Sequence, residues 1–331
     1  VRKGSDMKEQ VKVSVPGKLM LFGEHAVVYH YPCIVTAVDQ RMQIIVKPIE
    51  KKKFILHAPE VGLEDYSKGL RDLTRGRTAK GARFIETGIK NFFQKFKLRQ
   101  GLRVKTKAGF SAEFGFGSSA AVTVGIIVGL ARLFKIKLLK KQVFELAYKT
   151  ILDVQGVGSG FDLAAAIWGG TIYFVTGGQK ISPMRIKSLP LVVGYTGIKA
   201  DTPTVVKKVA VLKQNNQKLV GSLLAQISLL TNQARKSLLQ GDFRKTGELM
   251  NLNQGMLDAL GVNTKELASL IFAAREAGAW GAKLSGAGGG DCMIALVPKE
   301  KRLKVEKAIK KAGGKVIKVE PNAEKAKLET N

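Results

Sequence analysis

The sequence has little of what staples or metallates a fold. Two cysteines, Cys33 and Cys292, and three histidines, His25, His30 and His57, are all that its 331 residues contain. Two cysteines give no disulfide framework and no zinc spacing. Three histidines build no zinc site without an unusual ligand set. A reducing cytoplasm is therefore the expected location. Long apolar runs are also missing. The longest, from Ala120 to Leu130, is too short to span a bilayer and soon meets Arg132. No signal peptide is recognisable, and the opening VRKGSD ahead of Met7 reads as a remnant of cloning, set aside in reasoning about the fold.

Acidic residues are scarce as well. Against 55 Lys and Arg stand 26 Asp and Glu, a formal net charge of +29. Such an excess would suit a nucleic-acid binder. The lysines, however, are spread over Lys51 to Lys53, Lys135 to Lys141, Lys207 to Lys218 and Lys299 to Lys318. Aromatic residues are only 7%, with no zinc-finger pattern or stacking platform beside the charge. The expectation is a solvated basic surface and no nucleic-acid partner. Its positive field would still draw in an anionic nucleotide.

What is present points to a large core in two domains. Lys12 to Ser14 and Arg41 to Pro48 alternate like strands, and Phe54 to Lys80 reads as polar and irregular. Ala82 to Phe96 reads as an amphipathic helix, Leu102 to Lys107 as a strand, Ser118 to Phe134 and Lys141 to Val154 as helices. The loop VGSGFD then leads to a short helix at DLAAAIWGG and a strand at TIYFV. From Pro203 to Leu260 the chain is strongly helical, and Asn263 with Glu266 forms a pair like a capping box. After it come AKLS, the cluster GAGGG, MIALV, a basic helix from Lys299 to Ala312, and KVIKV. That order suits a ferredoxin-like α+β sandwich, with a boundary near Pro183 to Pro190.

Three separated stretches carry small residues beside polar ones: PGKLMLFGEH at 16–25, GFGSSAA at 115–121 and KLSGAGGGDC at 283–292. The second is a glycine turn opening a helix, a place where backbone N–H groups and the macrodipole favour an anion. It has no lysine after Gly117, so it is not a Walker A loop. Together and in this order the three resemble the motifs of the GHMP kinase superfamily, over nearly the whole chain from Val11 to about Val319. Within it the sequence is most similar to archaeal-type mevalonate kinases, through PGKLMLFGEHAVVY and the stretch from MNLNQGMLDALG to KLSGAGGG.

The resemblance implies an α/β, two-domain fold. Residues 7–185 would form an ATP-binding domain of ribosomal-protein-S5 type, and residues 186–331 a ferredoxin-like α+β domain. It implies ATP and Mg²⁺ as cofactors and mevalonate, phosphorylated at its C5 hydroxyl, as substrate. A homodimer is compatible with it, and no membrane partner is expected. Residue by residue, it lays the triphosphate on Gly115, Phe116, Gly117, Ser118, Ser119 and Ala120, with Lys18 escorting the γ-phosphate. Asp162, in GSGFD, aligns with the catalytic aspartate; Glu24, His25, Gly286, Ala287 and Gly288 would meet the acceptor, and Ser119 the metal. Read without the family, Ser118, Ser119 and Asp162 would be ordinary N-caps.

The sequence also departs from that family. The position that usually carries a metal-binding glutamate, eleven residues before the aspartate, is Ile151, and Asp153 is the candidate replacement. For Asp153 to serve, the helix would have to end before it, because two residues turn a helical side chain by about 200°. SAEFGFGSS stands where the family reads close to PxGxGLGSS, and GSGFDLAAA and VGYTGIKADTP look more like phosphomevalonate kinases. Phosphomevalonate kinase, a sugar or heptose kinase and a catalytically silent binder stay open as alternatives.

Overall fold

The computed structural model describes residues 10–329. The opening VRKGSD lies outside them. The described residues build two sheets with helices packed against them, and the first sheet carries most of the N-terminal half. Its strands are β1 (Val11–Phe22), β2 (Pro32–Ile49), β3 (Lys53–Ala58), β4 (Leu63–Gly69), β5 (Gly101–Ala108), β6 (Thr171–Val175) and β7 (Lys180–Met184). β2 organises this sheet by its length. It pairs along β1 on one side, while on the other Pro32–Thr36 takes β6 and Met42–Ile49 takes β5. All pairings are antiparallel except β3 with β5.

The helices of this half are α1 (Arg83–Phe96), α2 (Ser118–Leu133), α3 (Lys140–Gln155) and α4 (Phe161–Trp168). The apolar run from Ala120 falls in α2, which is buried almost all round. A helix apolar on every face belongs in the middle of a core. Gly129 lets it approach β2 closely, since a Cβ there would stand 2.9 Å from a Val46 methyl. No helix among the described residues is long and apolar enough to cross a membrane.

The second half contributes β8 (Leu191–Tyr195), three successive helices α5 (Thr202–Asn215), α6 (Gln217–Gln240) and α7 (Phe243–Ala259), then α8 (Lys265–Glu276), β9 (Gly281–Ser285), β10 (Cys292–Leu296), α9 (Arg302–Lys311) and β11 (Lys315–Ile317). The sheet order is β11-β8-β10-β9, all antiparallel, as expected for a ferredoxin-like sandwich. The chain then returns to the first sheet. Gly170 donates to the Ala323 carbonyl (2.8 Å), and a last strand, β12 (Lys327–Glu329), pairs with β1.

Three local expectations need correction. The stretch expected to be irregular holds β3 and β4, with Phe54, Leu56 and Ala58 buried at every second position. The long helical region breaks at Asn216 and at Gly241 and Asp242. The cap of α8 is Thr264, whose hydroxyl accepts from Leu267 N, and not Asn263.

Candidate active site

The glycine turn joins β5 to α2. Gly115 (φ +67°) and Gly117 (φ +82°) both take the left-handed conformation that side chains resist. Gly117 is the N-cap of α2, no side chain caps the helix, and no acidic residue lies in its first turn. The first N–H groups of α2 therefore sit without a side-chain cap at the positive end of the helix. Ser118 and Ser119 lie inside the helix, so neither is the cap that the ordinary reading would make it.

β1 presses against this turn. Gly17 makes that possible, because a Cβ there would stand 3.2 Å from the Phe116 carbonyl. The next residue, Lys18, donates its N–H to that carbonyl at 3.1 Å. Its side chain runs under Gly117 and delivers the ammonium to the Gly115 carbonyl at 2.9 Å. The same ammonium pairs with Asp162 Oδ1 at 3.3 Å. Asp162 sits in the first turn of α4, whose N-cap is Gly160 (φ +91°), so it does not cap the helix either. Its Oδ1 is buried with no hydrogen-bond partner, and the ion pair is what compensates it. Three segments far apart in the chain thus meet: the lysine of β1, the glycine turn and the carboxylate of α4.

The segment after β1 turns inward. Gly23 and His25 both have positive φ, and the side chains of Glu24 and His25 are buried. Glu24 accepts from the ammonium of Lys283 in β9, and both side chains are wholly enclosed. Burial pushes the Glu24 carboxyl up and the Lys283 ammonium down, each opposed by the other's charge. His25 Nε2 lies 2.8 Å from the Ala287 carbonyl. A carbonyl only accepts, so Nε2 carries the proton and Nδ1 keeps its lone pair. Burial holds this imidazole below its ordinary pKa of 6.5. The third glycine loop is fixed on its other side by Gly289, which donates to the Val262 carbonyl at 2.8 Å, while Gly286 and Gly288 take φ of +103° and +77°.

Asp153 is not brought to this cluster. α3 continues through Gln155, so its carboxylate points away from the buried Ile151, taking Lys149 at 2.7 Å and Asn91 at 2.9 Å. Ile151 itself packs near Gly158. Among the described residues no group of three or more His, Cys, Asp and Glu could hold a metal ion on its own.

Two family models match the chain: the GHMP kinases N terminal domain over residues 83–170 and the GHMP kinases C terminal domain over residues 234–315. A mevalonate kinase of Thermococcus sibiricus is 35% identical over 331 residues, covering 97% of this chain and 98% of that protein. One of Pyrococcus horikoshii is 37% identical over 321 residues, covering 93% and 94%. The chain belongs to the mevalonate kinases of the GHMP kinase family. Among solved structures, L. major mevalonate kinase in complex with R-mevalonate superposes with a TM-score of 0.77 at 26% identity, over 98% of this chain and 99% of that one.

Two charged residues that pack beside these loops were missed in the sequence. Lys283 and Asp291 lie at either end of the third glycine loop, and neither residue type stands out beside so many glycines. For Lys283 the available signal was its partner: a glutamate in the turn that follows the apolar end of β1 needs a cation if it is buried.

Proposed function

We propose that this kinase transfers the γ-phosphoryl group of ATP to the C5 hydroxyl of mevalonate, with Mg²⁺, supplying 5-phosphomevalonate to isoprenoid synthesis. The observation that carries the reading is the Lys18 ammonium held between the glycine turn and Asp162. Phosphoryl transfer needs little covalent chemistry from the protein, only positioned oxygens and offset charge. In this reading the N–H groups of Ser118, Ser119 and Ala120 hold the triphosphate. Lys18 neutralises charge developing on the transferred group. Asp162, within reach of that lysine, takes the proton from the acceptor hydroxyl. His25, neutral and with Nδ1 free to accept, suits an acceptor hydroxyl. Glu24 is committed to Lys283, and His25 is oriented by the Ala287 carbonyl.

The donor set fits Mg²⁺ held jointly with phosphates. Asp162 Oδ1 is buried with no partner besides the Lys18 ammonium, and the Ser119 hydroxyl is not spent on a cap. When bound, the ion would offset phosphate charge. We further divide the labour between residues 7–185, which carry the nucleotide turn, and residues 186–331, which carry the third glycine loop. The reading is tested by following ADP release from ATP with mevalonate, phosphomevalonate and a panel of sugars side by side. Mevalonate alone is expected to support turnover. Faster release with phosphomevalonate or a sugar would overturn the acceptor assignment.

A further inference from the structure

Asp291 ends the third glycine loop in a conformation that its side chain resists. Its φ is +57°, and the three residues before it are glycines, also with positive φ. A fourth glycine would hold the turn at a backbone cost lower by about 1 kcal/mol. What the carboxylate touches is therefore the better guide to its use. Oδ1 accepts from Ala200 N at 2.9 Å, while the residue's own N–H donates to the Ile198 carbonyl at 2.7 Å. These bonds fix the side chain to the segment that leads into α5. The other oxygen faces the first lobe: a Cβ built on Gly115 would stand 2.6 Å from Oδ2. Gly115 is the residue whose carbonyl receives Lys18. Burial raises the Asp291 carboxyl above its ordinary range, and the charges of Lys18 and Lys199 oppose that rise. A fixed carboxylate thus stands against the glycine turn, on the side of the second lobe.

We infer that Asp291 makes the phosphate cradle discriminate against nucleotide that carries no metal ion. The inference rests on the reading above, in which the polyphosphate lies on Gly115 to Ala120. A carboxylate beside that cradle repels a bare polyphosphate. It tolerates one whose charge a divalent cation has already offset. The Ala200 N–H prevents it from swinging aside to relieve the repulsion. Removing one negative charge at such range, with solvent screening allowed for, corresponds to about tenfold in affinity.

Calorimetric titration with ADP tests this, once with excess Mg²⁺ and once with EDTA, on the unmodified protein, Asp291→Asn, Asp291→Gly and the loop-blocking variant Ser119→Tyr. In both Asp291 variants the affinity for metal-free ADP should rise about tenfold, while that for Mg-ADP changes little. The Gly variant guards against a fold effect of the amide, because the turn already suits glycine. An unchanged ratio of the two affinities overturns the inference, as does a selective loss of Mg-ADP affinity, which would make Asp291 a metal ligand. Ser119→Tyr separates this from the underlying reading: if it binds ADP as well as the unmodified protein does, the nucleotide is not on the turn and that reading falls. If it loses binding while the ratio stays unchanged in the Asp291 variants, only the inference falls.

Discussion

At the scale of single residues, the site is a matter of which charges are held where. Lys18 and Asp162 were legible because each sits in a motif whose small neighbours let other backbone come close. Gly17 and Gly117 are needed for that approach, and both are visible in the sequence. Asp153 was misleading because a sequence does not show where a helix ends to within two residues, and α3 runs past it to Gln155. His25 yields a prediction with a sign. Its pKa in the folded protein is depressed below 6.5, so at acid pH the unfolded chain takes up a proton that the folded one refuses. The stability this neutral imidazole contributes is present above about pH 6.5 and is lost as pH falls towards the folded pKa, at up to about 1.4 kcal/mol per pH unit. Urea denaturation at a series of pH values should show a shallower acid decline in His25→Gln, whose amide can still donate to Ala287. Parallel curves would mean that His25 titrates alike in both states.

At the scale of elements, the helices of the first half were readable within a residue or two, and the polar strands were not. α1 carries its apolar residues at helical spacing, and its predicted span of Ala82 to Phe96 is nearly the observed Arg83–Phe96. β3 and β4 escaped because one is six residues long and the other, LEDYSKG, is an edge strand that exposes Glu64 and Asp65 while turning Lys68 inward to the buried Glu86. The apolar run of α2 reads as core once its glycines are seen as contact points. At Gly125 the three nearest atoms to a built Cβ all belong to Ile44. Gly125→Val should therefore overpack the interface between α2 and β2 and cost about 1–3 kcal/mol. A shift in the denaturation midpoint checks it, and an unchanged midpoint would show that α2 can slide without penalty.

At the scale of the whole molecule, the two halves are sewn together beside the site. The Ser285 hydroxyl donates to the Met20 carbonyl at 2.9 Å and accepts from Met20 N at 3.1 Å, joining β9 to β1. The buried pair of Glu24, just past the end of β1, and Lys283 of β9 joins the same two segments. The returning tail closes β1 on its other edge through β12. The register of these contacts was not legible in the sequence, because register between distant strands is set by three-dimensional packing and not by local pattern. Glu24→Gln or Lys283→Met alone leaves a partner charge or dipole buried and should cost about 3–5 kcal/mol. The double variant should cost clearly less than the sum. A double-mutant cycle by denaturation measures it, and strict additivity would mean that the pair does not interact across the seam.

The central claim is that Lys18 and Asp162 form one phosphoryl-transfer centre at the glycine turn. Its most direct test is Asp162→Asn, which keeps the size of the side chain and removes its charge. ATP binding and the thermal midpoint should stay near those of the unmodified protein, while turnover with mevalonate falls about 10²-fold or more for want of a proton acceptor. A variant with near-native kcat would contradict the account and leave Asp162 only the role of an acidic residue at the start of α4.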